Sequence, residues 1–204
     1  MAATSSNVGA IANQPDNTNY LSPIGFNFSI QKIPHANYFL QSANLPSVQL
    51  GDLETPSPFV SIPQIGDHLR YGDLFITFKV DEDMKNYLEL YNWMIQLGFP
   101  ESFQQSKEIY QGKEVKNELL QNAAFSDATL TVTNSAMQPN LSILYEDAYP
   151  VSLSDITFST QETSVNYVEC QVSFRYRQFK IFDLGAGGRV EVSTSAFTLS
   201  LIHI

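Results

Sequence analysis

The sequence predicts a mainly β protein: an antiparallel β-sandwich or barrel with one flanking α-helix at residues 83–97. Several segments alternate apolar and polar residues with a period of two, which is typical of strands that bury one face. Residues 83–97 form the clearest segment with apolar residues at helical spacing, and a glycine stop follows it. One helix among many strands is typical of a helix that covers an antiparallel sheet.

The first predicted elements are two short strands. Residues 26–30 alternate strictly between apolar and polar side chains, so their three apolar residues share one face. Pro34 is expected to end this strand, because proline cannot donate a ladder hydrogen bond. A second short strand is predicted at residues 38–43, before Pro46.

Residues 47–72 are rich in proline and glycine. This composition predicts a long loop or an extended hairpin, with its turn near Gly66-Asp67. A connection of this length inside a compact domain is usually functional.

Residues 74–80 are the clearest predicted strand, and the helix follows them. The acidic residues 81–83 lie where a helix N-cap and the positive end of the helix dipole favour them, and Gly98 supplies the C-terminal stop. The spacing predicts an apolar helix face made of Met84, Tyr87, Leu88, Tyr91, Met94 and Ile95.

The second half of the chain is predicted to be mainly strand. Period-two alternation occurs at residues 128–133, 141–145, 149–158, 166–179 and 190–204. A glycine-rich break at 183–188 precedes the last of these segments.

These patterns predict a three-part organisation. Residues 1–22 are polar and form an N-terminal arm with little to bury. Residues 23–182 form the β domain, which includes a charged surface insertion at 101–125. Residues 183–204 form a C-terminal extension strand.

The composition favours contacts with other chains over contacts with nucleic acid. Charged residues make up 16 % of the chain, below the usual quarter, and neutral polar residues replace them. Neutral polar groups cost less to desolvate than charges, which suits large buried interfaces. The formal net charge is −10 with 11 Lys and Arg, so the chain is expected to repel DNA.

Cys170 is the single cysteine, so no disulfide forms within the chain and folding in a cell's cytoplasm fits. Its apolar neighbours on a predicted strand favour a core position. No apolar run reaches the roughly 18 residues needed to span a bilayer, so no membrane insertion is predicted. Residues 1–20 lack the basic and apolar regions of a signal peptide.

Candidate residues for chemistry do not form a known motif. The histidines His35, His68 and His203 lie in separate segments without a nucleophile-elbow or similar signature. The acids at 81–83 lack calcium-loop spacing and are interpreted as capping groups. The glycine-rich residues 185–188 precede a predicted strand, so they are interpreted as a linker rather than a phosphate-binding loop. The sequence therefore predicts no enzyme, no metal site and no cofactor.

Several short motifs follow one another over residues 24–182. They are the strand at 26–30, the segment ending Asn44-Leu45-Pro46, the strand and acidic turn at 73–82, the helix with Asn86-Tyr87 and Asn92-Trp93-Met94, and Tyr149-Pro150-Val151-Ser152-Leu153 before the strand at 168–176. In this order they resemble the tail tube protein family of contractile-tailed bacteriophages, whose fold is shared with tube proteins of type VI secretion and related contractile injection machines. The chain departs from the family pattern in the N-terminal arm, the insertion and the C-terminal strand.

The resemblance implies a structural protein of the virion tail, assembled in the host cytoplasm. Six copies would form a ring, and stacked rings would form a tube through which DNA passes without specific binding. The implied partners are copies of the chain itself, the tail sheath, the baseplate and the tape-measure protein.

Two alternatives stay open. A tube-initiating baseplate protein or a tail-completion protein has the same fold, and the three departures leave the position along the tail undecided. A monomeric β-rich module that binds a receptor or a glycan is the alternative of another class, because the tyrosine and tryptophan content permits a sugar site.

Under the tube interpretation, the segment at 47–72 carries contacts between rings or subunits, and the outer side of the helix or the insertion meets the sheath. The predicted inter-ring and inter-subunit contact residues are Pro46, Leu50, Pro56, Phe59, Ile62, Ile65, Leu69 and Tyr71. The predicted sheath-facing residues are the acids Glu82, Asp83 and Glu89, which would pair with a basic sheath surface.

Overall fold

Ten strands and two helices make up the described part of the chain. The computed structural model describes residues 19–98, 100, 124–160, 167–184 and 190–192. In chain order the elements are β1 (Phe26–Ile30), α1 (Pro34–Tyr38), β2 (Leu40–Ala43), β3 (Val48–Thr55), β4 (Ile62–Tyr71), β5 (Leu74–Lys79), α2 (Lys85–Gly98), β6 (Ser126–Thr133), β7 (Pro139–Leu153), β8 (Glu169–Arg175), β9 (Gln178–Asp183) and β10 (Val190–Glu191).

Eight strands form one antiparallel sheet. Six of them follow the order β1-β6-β7-β8-β5-β2, β9 also pairs with β7, and β10 pairs with β9. The 15-residue strand β7 connects the two halves of this sheet. Its first part pairs with β6 and β9, and its last part pairs with β8. The mainly antiparallel β fold predicted from the sequence is confirmed.

Strands from both halves of the sheet contribute to one hydrophobic core. The predicted alternation is observed, since Phe28 and Ile30 of β1 and Ile76 and Phe78 of β5 are at most 2 % exposed. Burying an apolar side chain of this size contributes about 1.5–3 kcal/mol. Cys170 also lies in the core, as predicted, and burial raises the pKa of its thiol.

Pro34 begins a helix, which the sequence analysis missed. Proline is tolerated in the first turn of α1 because its missing N–H has no partner within a helix there. Asn37 of this helix holds the end of β1: its Nδ2 donates to the Ile30 carbonyl oxygen at 2.8 Å, and its Oδ1 accepts from the Ile30 N–H at 3.1 Å. The strand predicted at 38–43 therefore starts later, at Leu40.

The predicted helix is observed as α2, but the face that it buries differs from the predicted face. Asn86, Leu90 and Trp93 are the buried residues of α2. Leu88 and Tyr91, both members of the predicted apolar face, are 45 % and 46 % exposed. The predicted face was wrong in leaving out these three positions, one of which is polar, although its member Tyr87 is partly buried against the core.

Asn86 is buried because its hydrogen bonds are made inside the chain. Its Nδ2 donates to the Lys79 carbonyl oxygen at 2.7 Å, and its Oδ1 accepts from the Tyr87 N–H at 2.8 Å. Its own N–H donates to Asp81 Oδ1 at 3.4 Å, so an acid of the segment 81–83 does bond the first turn of α2. Asn86 thus ties the helix to the end of β5.

Strand boundaries in the second half differ from the predictions in three places. The strand predicted at 141–145 and the first part of that predicted at 149–158 form the single strand β7, which ends at Leu153 and continues through Asp147 with a φ of 56° and a register shift against β6. The strand predicted at 166–179 is divided into β8 and β9. Of the strand predicted at 190–204, β10 covers two residues and positions 193–204 lie outside the described residues, as do 1–18 and 101–123.

Candidate assembly surfaces

The hairpin formed by β3 and β4 is a two-stranded sheet separate from the main sheet. Its strands pair antiparallel, and the connection between them lies at residues 56–61. Of the two forms predicted for residues 47–72, the extended hairpin is therefore the one observed. The turn predicted near Gly66-Asp67 was wrong, because both residues lie inside β4.

Two glycines approach each other at an irregularity in the hairpin. The register shifts between Leu50 and Asp52, and a Cβ added at Gly66 would lie 2.4 Å from the carbonyl oxygen of Gly51. Rotation of a side chain cannot relieve a clash with backbone. A Cβ added at Gly51 would meet the His68 carbonyl oxygen at 3.5 Å, an ordinary contact. Gly66 therefore permits a close backbone approach within the strand, and this role produced the misleading turn signal.

The hairpin carries large apolar side chains that remain exposed in the single chain. Phe59 in the connection is 98 % exposed, and Ile65 of β4 is 82 % exposed. The other exposed large apolar residues of the hairpin are Val48, Leu50, Leu53, Val60, Ile62 and Leu69. An isolated two-stranded hairpin is marginally stable in water, and a large exposed apolar patch typically marks a protein contact site.

The root of the hairpin is held to the main sheet by an aromatic cluster. The Tyr71 ring centroid lies 5.4 Å from that of Phe179 and 6.1 Å from that of Tyr176. The Tyr145 ring packs on Tyr176 at 5.1 Å. Tyr176 Oη donates to the Gly72 carbonyl oxygen at 3.0 Å, and burial raises the pKa of Tyr176 to about 12, so the hydroxyl stays a donor at neutral pH.

The predicted contact residues divide into an exposed group and a supporting group. The exposed group is Leu50, Pro56, Phe59, Ile62, Ile65 and Leu69. Pro46 is buried before β3 and Tyr71 belongs to the root cluster, so both support the hairpin. The sequence analysis missed Val48, Leu53 and Val60, although the alternation of Val48 and Leu50 carried a strand signal.

Two of the three acids predicted to face a sheath have partners inside the chain. Asp83 accepts a hydrogen bond from Lys85 Nζ at 2.6 Å, which lowers the pKa of the Asp83 carboxyl. Glu89 contacts the His35 ring Nδ1 and accepts from the His35 backbone N–H at 3.2 Å, joining α2 to α1. The Glu82 carboxylate is exposed and makes no hydrogen bond or ion pair with the described residues.

Strand edges border a second surface. β1 and β2 lie at opposite ends of the main strand order, and residues of both line a groove of about 460 Å³. Ile24, Asn37 and Gln41 also line this groove. A terminal strand presents backbone N–H and C=O groups to which a strand of another chain can add.

The residues considered for chemistry do not converge. His35 contacts Glu89, His68 lies on the exposed strand β4, and His203 is outside the described residues. In the part of the chain that the structure describes, no group of three or more His, Cys, Asp and Glu side chains could hold a metal ion. A helix of the length and apolarity that a membrane crossing requires is also absent from that part.

A β domain with an exposed apolar hairpin and terminal strand edges belongs to the class of structural proteins that act through contacts with other chains. The chain belongs to the phage tail tube protein family, whose model matches residues 7–182. The family consists of structural tube proteins rather than enzymes, so the resemblance read from the motifs and the non-enzymatic prediction are both confirmed. No curated protein matches the sequence.

Solved structures from contractile injection machines share the fold. The tube-terminating cap of the anti-feeding prophage matches with a TM-score of 0.55 and 16 % identity, over 86 % of this chain and 99 % of that chain. The sheath/tube terminator of the PVC extracellular contractile injection system, in its extended state, matches with a TM-score of 0.52 and 16 % identity over 81 % and 99 %. The extended sheath-tube complex of that system matches with a TM-score of 0.52 and 16 % identity over 88 % and 99 %.

Proposed function

We propose that the chain is the repeating subunit of a tail tube, built from stacked hexameric rings through which DNA passes. The observation that carries this proposal is the hairpin, which exposes eight large apolar residues on a two-stranded sheet. Packing the hairpin against a neighbouring subunit removes that surface from water, at about 25 cal/mol per Å² of apolar area. Membership of the tail tube family indicates the kind of assembly that does so.

Ring closure is proposed to use the strand edges at β1 and β2. Continuation of the sheet from one subunit to the next pairs backbone groups that are otherwise open at these edges. The charge of the chain suits a conduit, because six copies at −10 each present DNA with a strongly negative wall. Phosphates then find few cationic sites, and DNA slides without specific binding.

The remaining contacts follow from a tube at the centre of a contractile tail. We propose that the outer side of α2 or the insertion at 101–125 meets the sheath, with Glu82 as an available acid and Asp83 and Glu89 exchanging their present partners. The tube ends on the baseplate and encloses the tape-measure protein, within the virion tail and after assembly in the host cytoplasm. The arm at 1–22, the domain at 23–182 and the extension at 183–204 remain the proposed divisions of the chain.

Negative-stain microscopy and native mass spectrometry of the purified chain test the assembly, and hexameric rings or tubes are the expected result. A shortened hairpin tests the role of β3 and β4. Because Asp52 pairs with Ile65 in register, residues 53–64 can be replaced by Asn-Gly, which favours a two-residue hairpin turn. We expect this variant to form no tubes and to fold as a monomer, shown by a β-type circular dichroism spectrum and by native mass spectrometry.

A length-preserving control separates apolar contact from hairpin length. Phe59→Ser with Val60→Ser retains the full hairpin and removes two of its most exposed apolar side chains. Loss of tubes in this control assigns the effect to apolar contact. Normal tubes from the shortened chain would show that the hairpin is dispensable and would overturn its proposed role.

A ring that ends or starts the tube is the second candidate, because two of the similar structures are a tube-terminating cap and a sheath/tube terminator. Tube length distinguishes the two candidates. A repeating subunit gives tubes that lengthen with protein concentration, whereas a terminating or initiating protein stays a single ring. A glycan-array signal from a stable monomer would instead favour the receptor-binding or glycan-binding module.

A further inference from the structure

One basic residue is exceptional among those that the structure describes. The described lysines and arginines are Lys32, Arg70, Lys79, Lys85, Arg175, Arg177 and Lys180. Two of the lysines lie over aromatic rings, and four of the seven residues form ion pairs within the chain. Arg70 makes no ion pair, hydrogen bond or ring contact with the described residues. It is exposed on β4, one residue before the root cluster begins at Tyr71.

Arg70 lines a groove of about 350 Å³ where the hairpin meets the main sheet. Arg175 lies at the same groove, and its Nε donates to Asp73 Oδ1 at 3.2 Å. The terminal nitrogens of Arg175 make no hydrogen bond or ion pair with the described residues, so they remain available. The groove has a fixed floor, because Tyr176 Oη bonds the Gly72 carbonyl oxygen at 3.0 Å.

We propose that this groove binds a carboxylate of a neighbouring copy of the chain, with Arg70 as the anchoring residue. The proposal rests on the proposed function, since it assigns one contact within the same assembly. A guanidinium can donate two parallel hydrogen bonds to one carboxylate, which gives both strength and orientation. In a chain with a net charge of −10, an arginine that pairs with none of the described residues is complementary to the carboxylate-rich surface of another copy.

The proposal takes the carboxylate from a small set of the described residues. Among the described residues, the exposed acids whose carboxylates make no hydrogen bond or ion pair are Asp52, Asp67, Glu82, Asp155 and Glu169. Nucleic-acid phosphate is the competing ligand for an arginine groove. The net negative charge disfavours it, because the surrounding surface repels phosphate.

The first experiment compares Arg70→Glu with Lys85→Glu by light scattering and negative-stain microscopy. Both substitutions change the net charge equally, but Lys85 lies on α2, where it pairs with Asp83. We expect Arg70→Glu to raise the concentration at half assembly about tenfold or more, since tenfold corresponds to one lost charge-assisted contact. We expect Lys85→Glu to change it less than twofold. Circular dichroism must show that both variants are folded.

The second experiment identifies the partner by restoring the pair with reversed charges. Each of the five acids is changed to lysine in the Arg70→Glu chain, and one double variant is expected to recover assembly to within about threefold of the wild type. Failure of all five double variants to recover assembly overturns the proposal. The proposal is also overturned if the wild-type chain binds a fluorescent single-stranded oligonucleotide and Arg70→Glu does not, because the groove would then be a phosphate site.

The two proposals fail in distinguishable ways. If the wild-type chain forms rings or tubes and Arg70→Glu assembles equally well, the groove is wrong and the proposed function stands. If the wild-type chain stays monomeric at all concentrations, the proposed function fails and the groove fails with it.

Discussion

The main sheet and the hairpin use the same sequence pattern with opposite results. In β5, alternation leaves Leu74, Ile76 and Phe78 at 0 % exposed, whereas in β3 it leaves Val48 and Leu50 at 48 % and 53 % exposed. Period-two alternation specifies a strand with an apolar face, but it does not specify what covers that face. In the main sheet the same chain supplies the cover. The difference supports the proposed contact between the hairpin and a surface outside the chain.

The largest expected effect comes from removing one aromatic ring from the main sheet and one from the hairpin, which tests the difference between the two regions. Phe174 is 0 % exposed and its ring lies 6.0 Å from that of Trp93, whereas Phe59 is 98 % exposed. We expect Phe174→Ala to lower the free energy of unfolding by about 3–5 kcal/mol, since it deletes buried contacts and leaves a cavity. We expect Phe59→Ala to lower it by less than about 0.5 kcal/mol. Urea unfolding of dilute monomer measures both.

Assembly should rank these two variants in the other order. At a temperature where both monomers are folded, Phe59→Ala is expected to reduce tube formation more than Phe174→Ala. Equal losses of monomer stability from the two changes would mean that the hairpin packs on its own chain, and the comparison between the regions would then not hold.

An intermediate effect is expected from adding a methyl group at one of the two hairpin glycines. Gly66→Ala places a Cβ against the Gly51 backbone, so we expect the hairpin strands to separate locally at a cost of about 1–3 kcal/mol. Hydrogen exchange of the β3 and β4 amides measures this change without depending on the rest of the fold. Gly51→Ala is the matched control, because its Cβ has ordinary contacts and should change exchange little.

A Gly66→Ala chain whose hairpin amides exchange as slowly as those of Gly51→Ala would show that the close approach is not required. Faster exchange confined to β3 and β4 would support a hairpin that folds independently of the main core. Faster exchange in β5 and β8 as well would show that the two regions unfold together.

The sequence was sufficient for the strands whose cover lies in the same chain. Phe28, Ile76 and Phe174 were all identified as members of buried faces, because apolar residues at alternate positions have one favourable place to go. The same reading of apolar periodicity missed Asn86 on α2. Its burial depends on the carbonyl group of Lys79, which reaches it through tertiary structure and leaves no periodic signal.

The candidate surfaces were less predictable for a physical reason. Residues 47–72 were predicted to be a contact segment from their length and composition, but the position of the turn was misread because Gly66 serves a close backbone approach. Arg70 carried no signal, because a cation becomes notable only when the pairing of its neighbours in space is known. Sequence pattern therefore predicted the segment, and pairing in three dimensions singled out Arg70 for the proposed contact.

The smallest expected effect concerns an ionic cluster in the main sheet. Glu146 lies where β7 pairs with β9, and its carboxylate accepts from Lys180 Nζ, Arg177 and Gln178 Nε2, each at 2.7 Å. These bonds lower the pKa of Glu146 from 4.5 to about 2. The unfolded chain binds this proton more readily than the folded chain, so the contribution to stability is complete above pH 4.5 and is lost as the pH falls towards 2.

We expect Glu146→Gln to remove this part of the pH dependence, lowering the free energy of unfolding by about 1 kcal/mol or less at neutral pH because solvent screens a partly exposed cluster. The difference from the wild type should shrink between pH 4.5 and 2, as measured by urea unfolding at each pH. The cluster makes no hydrogen bond or ion pair with the described hairpin residues, so the shortened-hairpin chain should show the same pH profile as the full chain. A profile that changed with hairpin length would mean that the two regions are energetically coupled. The main sheet would then not be stable independently of the hairpin, and the hairpin would not depend on another chain alone for its apolar contacts.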